Sequence, residues 1–315
     1  MEQTETTGRS VPSSAVAAHM QAAQERARVH PAWQALNFEK WIKCVILGDV
    51  LDEGDEVLEI SCGHTGAEDS NTGGAGGGTH HTYARHKIQH LTTVDSSATV
   101  VAAAQRKWEK TKRFDAEFAT ADLYTISLDQ VLREGRSFDV VVCFDGMQNS
   151  FASEETAEMF LRSATCRLRE GGYFLGFLPD SSAIWSKAAK VNSKGDEAPK
   201  FGGDLYKIEF NDDLSRFQPF GTSYTHRMRE MEDRKQYLVH FPTLLQLARK
   251  LQLEMVEVVN FIDFYEDHKK SHEAALTEIM GWTKTNKKLF PNQLELIGLR
   301  TTFVFRKLRS GESMP

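Results

Sequence analysis

Between Trp33 and Leu51 the apolar residues Phe38, Trp41, Ile42, Val45, Ile46 and Val50 recur at helical spacing, which predicts a helix. An apolar strand follows at Val57-Leu58-Glu59-Ile60 and runs straight into Ser61-Cys62-Gly63-His64-Thr65-Gly66. Beyond that turn, strand and helix patterns alternate. His90 to Asp95 reads as a short strand ending in an acid, Thr99 to Thr111 as a helix, and Glu117 to Asp122 as a third strand, again ending in an acid. Phe138 to Phe144 is a continuous apolar run, suited to the centre of a sheet. Glu154 to Arg169 reads as a helix stopped by Gly171-Gly172, and Tyr173 to Leu178 as a strand broken at Pro179. Downstream come a helix at Phe241 to Leu251 and two late strands, Met255 to Phe261 and Thr301 to Phe305. The alternation predicts an α/β, doubly wound, mostly parallel seven-stranded sheet, with the two late strands as an antiparallel pair at its edge.

Three segments stand outside this rhythm. Residues 1 to about 13 are polar and read as a tail, and Ala15 to Arg28 is Ala-rich and reads as a helix, so 1–28 precede the main domain of 29–315. The run Asn71-Thr-Gly-Gly-Ala-Gly-Gly-Gly-Thr-His-His is of low complexity, and 70–82 is expected to be a flexible Gly-rich insertion. The mixed, polar stretch 181–238, with its Phe201-Gly202 and Phe220-Gly221 steps, reads as an inserted lid or substrate module.

Composition narrows the class. With 315 residues and 40% apolar content the chain can build a sizeable core, and a formal net charge of −6 announces no basic field for nucleic acid. The cysteines Cys44, Cys62, Cys143 and Cys166 are widely spaced, without metal-ligand spacing, and His80-His81 lack a third ligand, so no metal is expected. No run approaches the ~20 apolar residues of a membrane span. The start Met1-Glu-Gln-Thr-Glu-Thr-Thr lacks the features of a secretion signal, so a soluble intracellular protein is expected.

Ligands of parallel α/β sheets sit over the carboxyl ends of the strands. A carboxylate there can accept both ribose hydroxyls of a nucleoside, which suits Asp95, and Asp122 one strand on can accept from an adenine amino group. The phosphate-cradling Gly-x-Gly-x-x-Gly is absent, so S-adenosylmethionine fits this pattern better than a dinucleotide.

From about Trp33 to Lys307 the chain resembles the mRNA cap guanine-N7 methyltransferases. The resemblance rests on Asn37-Phe-x-x-Trp-x-Lys43, Val57-Leu-Glu-Ile-x-Cys-Gly63, Ala116-Glu-Phe-x-Thr-Ala-Asp122 and Gly171-Gly-Tyr-Phe-x-Gly176. It continues through Leu161-Arg-x-Ala-x-x-Arg-Leu168, Phe201-Gly-x-x-Tyr206, Tyr237-Leu-Val-x-Phe-Pro242, Phe261-x-x-Phe-Tyr-Glu266 and Phe303-x-Phe-x-Lys307. It implies a class I, Rossmann-like methyltransferase fold with S-adenosylmethionine as cofactor. Capped RNA is then the implied partner, with other capping-apparatus proteins and a nuclear location also in view. Lys43, Asp95 and Asp122 carry over as cofactor contacts, Lys43 setting its ammonium near the methionine carboxylate. Ser61 and Thr65 stand where the family has glycines, while Gly63 and Gly66 remain. Phe144, where the family has a glutamine, and Asn149 complete the implied cofactor set.

The acceptor side departs from the family. Guanine N7 has an available lone pair, so its methylation needs grip and alignment rather than a general base, and no catalytic residue is expected. Where the family has an Asn-Asn pair, a His-Tyr pair, a Glu and a late Tyr, this chain has Glu39-Lys40, Gln148-Asn149, Gln236 and Arg300. With Trp33, which aligns with a family aromatic and could stack on the purine, and His64, these form the implied cap-binding set. The departures leave three readings open: a divergent active enzyme, a non-catalytic partner subunit of RNA capping, and a methyltransferase for another RNA base or a small molecule.

Overall fold

Alternate side chains of one twisted sheet feed two cores in the computed structural model, which describes residues 31–61, 79–192, 198–211, 214, 218–229, 231–283 and 289–314. In chain order the first elements are α1 (Pro31–Val50), β1 (Glu56–Ile60), α2 (Thr79–His86), β2 (His90–Asp95), α3 (Ala98–Glu109) and β3 (Asp115–Thr120). Next come β4 (Phe138–Phe144), α4 (Met147–Ser150), α5 (Glu154–Thr165), β5 (Leu168–Pro179) and α6 (Ser181–Asn192). Four short strands follow: β6 (Lys200–Gly202), β7 (Tyr206–Phe210), β8 (Ser223–Met228) and β9 (Arg234–Tyr237). The chain continues with α7 (Phe241–Lys250), β10 (Leu253–Asn260), α8 (Phe261–His268), α9 (Glu273–Met280), α10 (Pro291–Ile297) and β11 (Arg300–Lys307).

The main sheet has seven strands in the order β10-β11-β5-β4-β1-β2-β3. Its pairings from β5 to β3 are parallel, and β11 runs antiparallel to both β5 and β10. The strand order reverses between β1 and β4, which opens a crevice at their carboxyl ends. Val57, Val140, Val142, Phe144 and Phe177 point to the face covered by α1. Leu58, Ile60, Val141, Cys143 and Phe174 point to the other face, against Phe160 and Leu161 of α5 and Leu244 and Leu247 of α7.

Helix α1 lies against the sheet with α2, α9 and α10 packed around it, so it is buried on nearly every side. Phe38 and Trp41 are fully buried, with ring centroids 5.5 Å apart, and Phe38 meets Tyr265 at 5.6 Å. The Asn37 side-chain amide donates to the Ile279 carbonyl at 2.9 Å, tying α1 to α9. These contacts fix the rotation of α1 about its axis, and with it the direction of Glu39 and Lys43.

Four local expectations change. Helix α5, started by the reciprocal Ser153–Thr156 capping box, ends at Thr165 rather than Arg169. The Gly171-Gly172 pair lies inside β5, where the pairing register with β4 shifts between Phe138 and Val140. The expected flexible insertion also ends early, because α2 begins at Thr79, where the glycines stop. Tertiary burial decides this: Tyr83 is fully buried with its ring edge-on to Phe114 at 6.3 Å, and Thr82 is buried beside it. Strand β3 ends at Thr120, leaving Asp122 two residues beyond it. The expected helix at 15–28 and the glycine turn 62–66 lie outside the described residues.

The described residues of 181–238 form one helix and a small sheet. Helix α6 leads into a four-stranded antiparallel sheet in the order β6-β7-β8-β9. Ile208, Phe210, Tyr224 and Leu238 of this unit join the core on the α1 side. Among the described residues no helix is long and apolar enough to cross a membrane, and no group of three His, Cys, Asp or Glu side chains could hold a metal ion.

Gly176 marks the tightest point of the frame. It sits mid-strand in β5 between β4 and β11, and a Cβ there would fall inside the carbonyl oxygen of Cys143. Gly176→Ala must push two central strands apart and is expected to destabilise by ~2–4 kcal/mol, read as a lower denaturation midpoint.

Candidate active site

Strand β1 ends at Ile60, and Ser61 turns the chain with a φ of 55°, the left-handed region that favours glycine. Its amide donates to the Val94 carbonyl at 3.0 Å, holding the turn against β2. Asp95 closes β2, and one carboxylate oxygen accepts from the Ser97 amide at 2.8 Å at the start of α3. The Ala121 amide donates to the Asp95 carbonyl at 2.9 Å, so Asp122 follows at the neighbouring strand end, its carboxylate accepting from the Tyr124 amide at 3.0 Å. Ser61, Asp95 and Asp122 thus share the carboxyl edge of three adjacent strands.

The turn after β4 is strained. Asp145 has a φ of 99° and Gly146 a φ of 110°. Asp145 is buried and its carboxylate accepts from the Gly146 amide at 3.1 Å and from the Gln148 carboxamide. The Gln148 oxygen accepts from the Gly146 amide at 3.0 Å, so this buried side chain is committed at both ends to the turn. Asn149 is half-buried on α4. The Tyr124 hydroxyl donates to the Gly146 carbonyl at 2.8 Å, and burial pushes that phenol upward.

Lys43 reaches from α1 over the aromatic floor made by Phe144 and Phe177, its Nζ 4.9 Å and 5.5 Å from their ring centroids. Phe144 therefore faces α1, its ring tilted against Phe177 at 5.1 Å. Burial pulls the Lys43 ammonium down to about 8, against the opposing pull first of Glu59 and then of Glu39. Glu59, from β1, is itself buried, and burial raises its carboxyl. One turn before Lys43, Glu39 lies with Oε1 3.4 Å from Nε of Arg300. Nη2 of Arg300 lies 3.7 Å from Asp145, and its guanidinium stacks over Phe177 at 4.8 Å. Burial raises the Glu39 carboxyl, with Arg300 pulling it back.

Glu39 and Arg300 also line a small pocket between α1, the end of β5, α10 and the four-stranded sheet. Gln236 and Tyr224 face it from β9 and β8, paired across the ladder, the Tyr224 hydroxyl donating to the Gln236 side-chain oxygen at 2.9 Å. His226 lines it too, with Nε2 buried and unbonded, and burial holds its imidazole down at about 4, so it is neutral near pH 7.

The fold therefore brings Lys43, Phe144, Glu39, Gln236 and Arg300 into one connected region, next to the strand ends that carry Ser61, Asp95 and Asp122. It does not bring Lys40 to the cavity, because that residue lies half-buried on another side of α1. Gln148 does not line the cavity either, its side chain being spent on the Asp145–Gly146 turn. Arg300 is neither free to stack on a base nor exposed on a sheet edge, since β11 is an inner strand and its guanidinium is already stacked and ion-paired. Gly63 and His64, and the side chain of Trp33, lie outside the described residues. Sequence reasoning passed over Glu59, Asp145, Tyr224 and His226. Glu59 was visible as a lone acid within an apolar strand, and Asp145 as an Asp-Gly step after another. Tyr224 and His226 gave no signal, because only the folding of β8 over α1 aims them.

A family profile for the mRNA (guanine-N7)-methyltransferase domain matches residues 2–308. An mRNA cap guanine-N7 methyltransferase 2 from Oryza sativa subsp. japonica is 34% identical over 232 residues, covering 70% of this chain and 68% of that protein. The protein of the same name from Arabidopsis thaliana is 32% identical, covering 70% of this chain and 66% of the relative. The Drosophila melanogaster mRNA cap guanine-N7 methyltransferase is 28% identical, covering 74% of this chain and 56% of that protein. The chain thus spans about two thirds of the plant relatives and little over half of the insect one. Among solved structures, a Listeria monocytogenes chain assigned as an S-adenosylmethionine-dependent methyltransferase superposes with a TM-score of 0.50 at 14% identity. It covers 87% of this chain and 98% of its own, and shares the fold.

The two strained turns are mechanically coupled. A Cβ on Gly146 would lie 2.7 Å from both Cβ and Oγ of Ser61. Gly146→Ala is expected to cost ~2–3 kcal/mol, from backbone strain and this clash together. In a Ser61→Gly background the same change should cost ~1 kcal/mol less, a coupling that a double-mutant cycle of chemical denaturation measures.

Proposed function

Since the chain belongs to the mRNA (guanine-N7)-methyltransferase family, we propose that it transfers a methyl group from S-adenosylmethionine to N7 of the guanine that caps mRNA. The observation that carries this reading is the junction of two sites: adjacent strand-end carboxylates on one side, and a largely apolar cavity with a few polar groups, joined to them through Lys43, Glu39 and Arg300, on the other.

The residues suit the cofactor. Asp95 and Asp122 are acceptors at neighbouring strand ends, as a nucleoside requires, and Lys43 is a buried cation for the methionine carboxylate. When bound, S-adenosylmethionine supplies an electrophilic methyl group. The chain's own task is alignment. The N7 lone pair forms the new N–C bond as the C–S bond breaks, the positive charge moves from sulfur to the methylated purine, and no proton is transferred. Positioning and a favourable field can therefore carry the catalysis, and the buried carboxylates Glu39, Glu59 and Asp145 provide a field suited to a cationic product. Capped RNA is the partner in this reading, and other capping proteins and a nuclear location belong with it.

The direct test incubates the purified chain with radiolabelled S-adenosylmethionine and GpppRNA, then digests the RNA to nucleosides. Label in 7-methylguanosine is expected. S-adenosylmethionine binding without any 7-methylguanosine would sink the enzymatic reading in favour of a non-catalytic capping subunit.

Lys43 adds a pH dependence. Its folded value of about 8 lies below the ordinary 10.5, so the ammonium is present below pH 8 and is lost as pH rises through it. Affinity for S-adenosylmethionine, measured by calorimetry, should be level below pH 8 and weaken above it, toward tenfold per pH unit. Lys43→Arg keeps its charge, so it should lack this fall and report only the titration of the donor itself.

A further inference from the structure

The cavity beside the cofactor edge has one acid in its wall. Glu39 is the only carboxylate among the described residues that line it. Gln236, on the opposite wall, has its oxygen occupied by the Tyr224 hydroxyl at 2.9 Å, so its carboxamide offers N–H donors to the cavity. Arg300 lies in the same wall, with Nε turned to Glu39 at 3.4 Å and Nη2 to Asp145 at 3.7 Å. The cavity thus presents an acceptor from α1 and amide donors from β9, between apolar walls that include Ile184, Ile208 and Leu296.

Guanine carries the matching pattern on one edge: two adjacent N–H donors, at N1 and at the 2-amino group, beside the O6 acceptor. A carboxylate can take both N–H groups in a bidentate pairing, and the neighbouring oxygen then meets the Gln236 amide donors. Adenine reverses the pattern, setting a lone pair at N1 against the carboxylate. N7 lies on the far side of the ring and must stay unbonded to react. An arginine free to fork across O6 and N7 would compete for that lone pair. Arg300 is held back from this by Glu39 at 3.4 Å, Asp145 at 3.7 Å and the Phe177 ring beneath it.

We propose that Glu39 is the residue that reads the acceptor base as guanine, through its N1–H and 2-amino edge, with Arg300 as the positioning residue that pins the carboxylate. This deepens the cap-methylation reading and rests on it. Gln236 then faces O6 as a donor, while the acid stands on the opposite wall.

The test uses the full chain, with caps that differ only in the base. GpppRNA and IpppRNA differ by the 2-amino group, one of the two N–H donors, whose loss against a buried carboxylate should lower kcat/KM on the order of 10–100-fold. ApppRNA should not be a substrate. Glu39→Gln should raise KM for GpppRNA and shrink the G-over-I ratio to roughly threefold or less, while Gln236→Glu should preserve a clear preference for G. Undiminished G-over-I preference in Glu39→Gln overturns the assignment.

Should Glu39→Gln fail to fold, as judged by its thermal melt, the wild-type chain still decides. GpppG, IpppG and a 1-methylguanosine-capped dinucleotide are compared by equilibrium binding. GpppG should bind most tightly and the 1-methyl cap should not compete, whereas equal binding of all three overturns the inference. These arms also separate it from the reading beneath it. Selective GpppG binding without methyl transfer supports the base assignment and removes the activity; equal methylation of GpppRNA and IpppRNA does the reverse.

Discussion

Burying several charges at the crevice is the constraint around which this molecule is arranged. Glu39, Lys43, Glu59, Asp145 and Arg300 come from four separate parts of the chain, and none is solvated as it would be in an unfolded chain. Withdrawing such ions from water costs several kcal/mol each, and a well-packed apolar set would often be at least as stable. The cluster is therefore weak as a source of stability and strong as a source of position. Each charge is tolerated only while its counter-charge stays within a few ångströms, so the cluster couples α1, β1, the turn after β4 and the start of β11.

The aromatic packing serves the same end. Phe38, Trp41, Phe264 and Tyr265 lock α1 by ring contacts, and Phe144 with Phe177 gives both Lys43 and Arg300 a π-face to lie on. Two cations share Phe177 in this way, which is tolerable because three carboxylates surround them. The second sheet contributes the remaining wall. Its β8–β9 ladder aims Tyr224 and Gln236 inward as a hydrogen-bonded pair, so the polarity of the cavity depends on strand register as much as on residue type.

The frame was legible in the sequence because its signals are local. Period-2 and period-3.6 apolar patterns identified the main strands and helices to within a few residues, and the acids after the second and third strands lie at neighbouring strand ends as their spacing implied. What was not legible depended on distant partners. The Gly171-Gly172 pair reads as a helix stop but serves a register shift in β5, which only the neighbouring strand reveals. Thr79 to Thr82 look like the tail of a low-complexity run, yet they open a helix because Tyr83 finds Phe114. On the acceptor side, Gln148 looked like a ligand by alignment, yet the strained Asp145–Gly146 turn consumes it. Arg300 looked like a nucleic-acid contact, yet it is stacked on Phe177 and held by two carboxylates. Its partners lie far away in the chain, beyond the reach of any spacing rule.

The position of β11 bears on how such a molecule is made. The last strand of the main sheet in chain order is threaded between β5 and β10, bonded on both sides. During synthesis the parallel half can assemble while a gap stays open beside β5, with unpaired backbone N–H and C=O groups waiting along its edge. Arg300 opens that final strand, so Glu39 and Asp145 stand without their arginine until almost the whole described chain has left the ribosome. Pairings so distant in sequence form slowly. Closure of the sheet and completion of the charge cluster are consequently one late event, and a nascent chain stalled before it would expose an open strand edge for chaperones to shield.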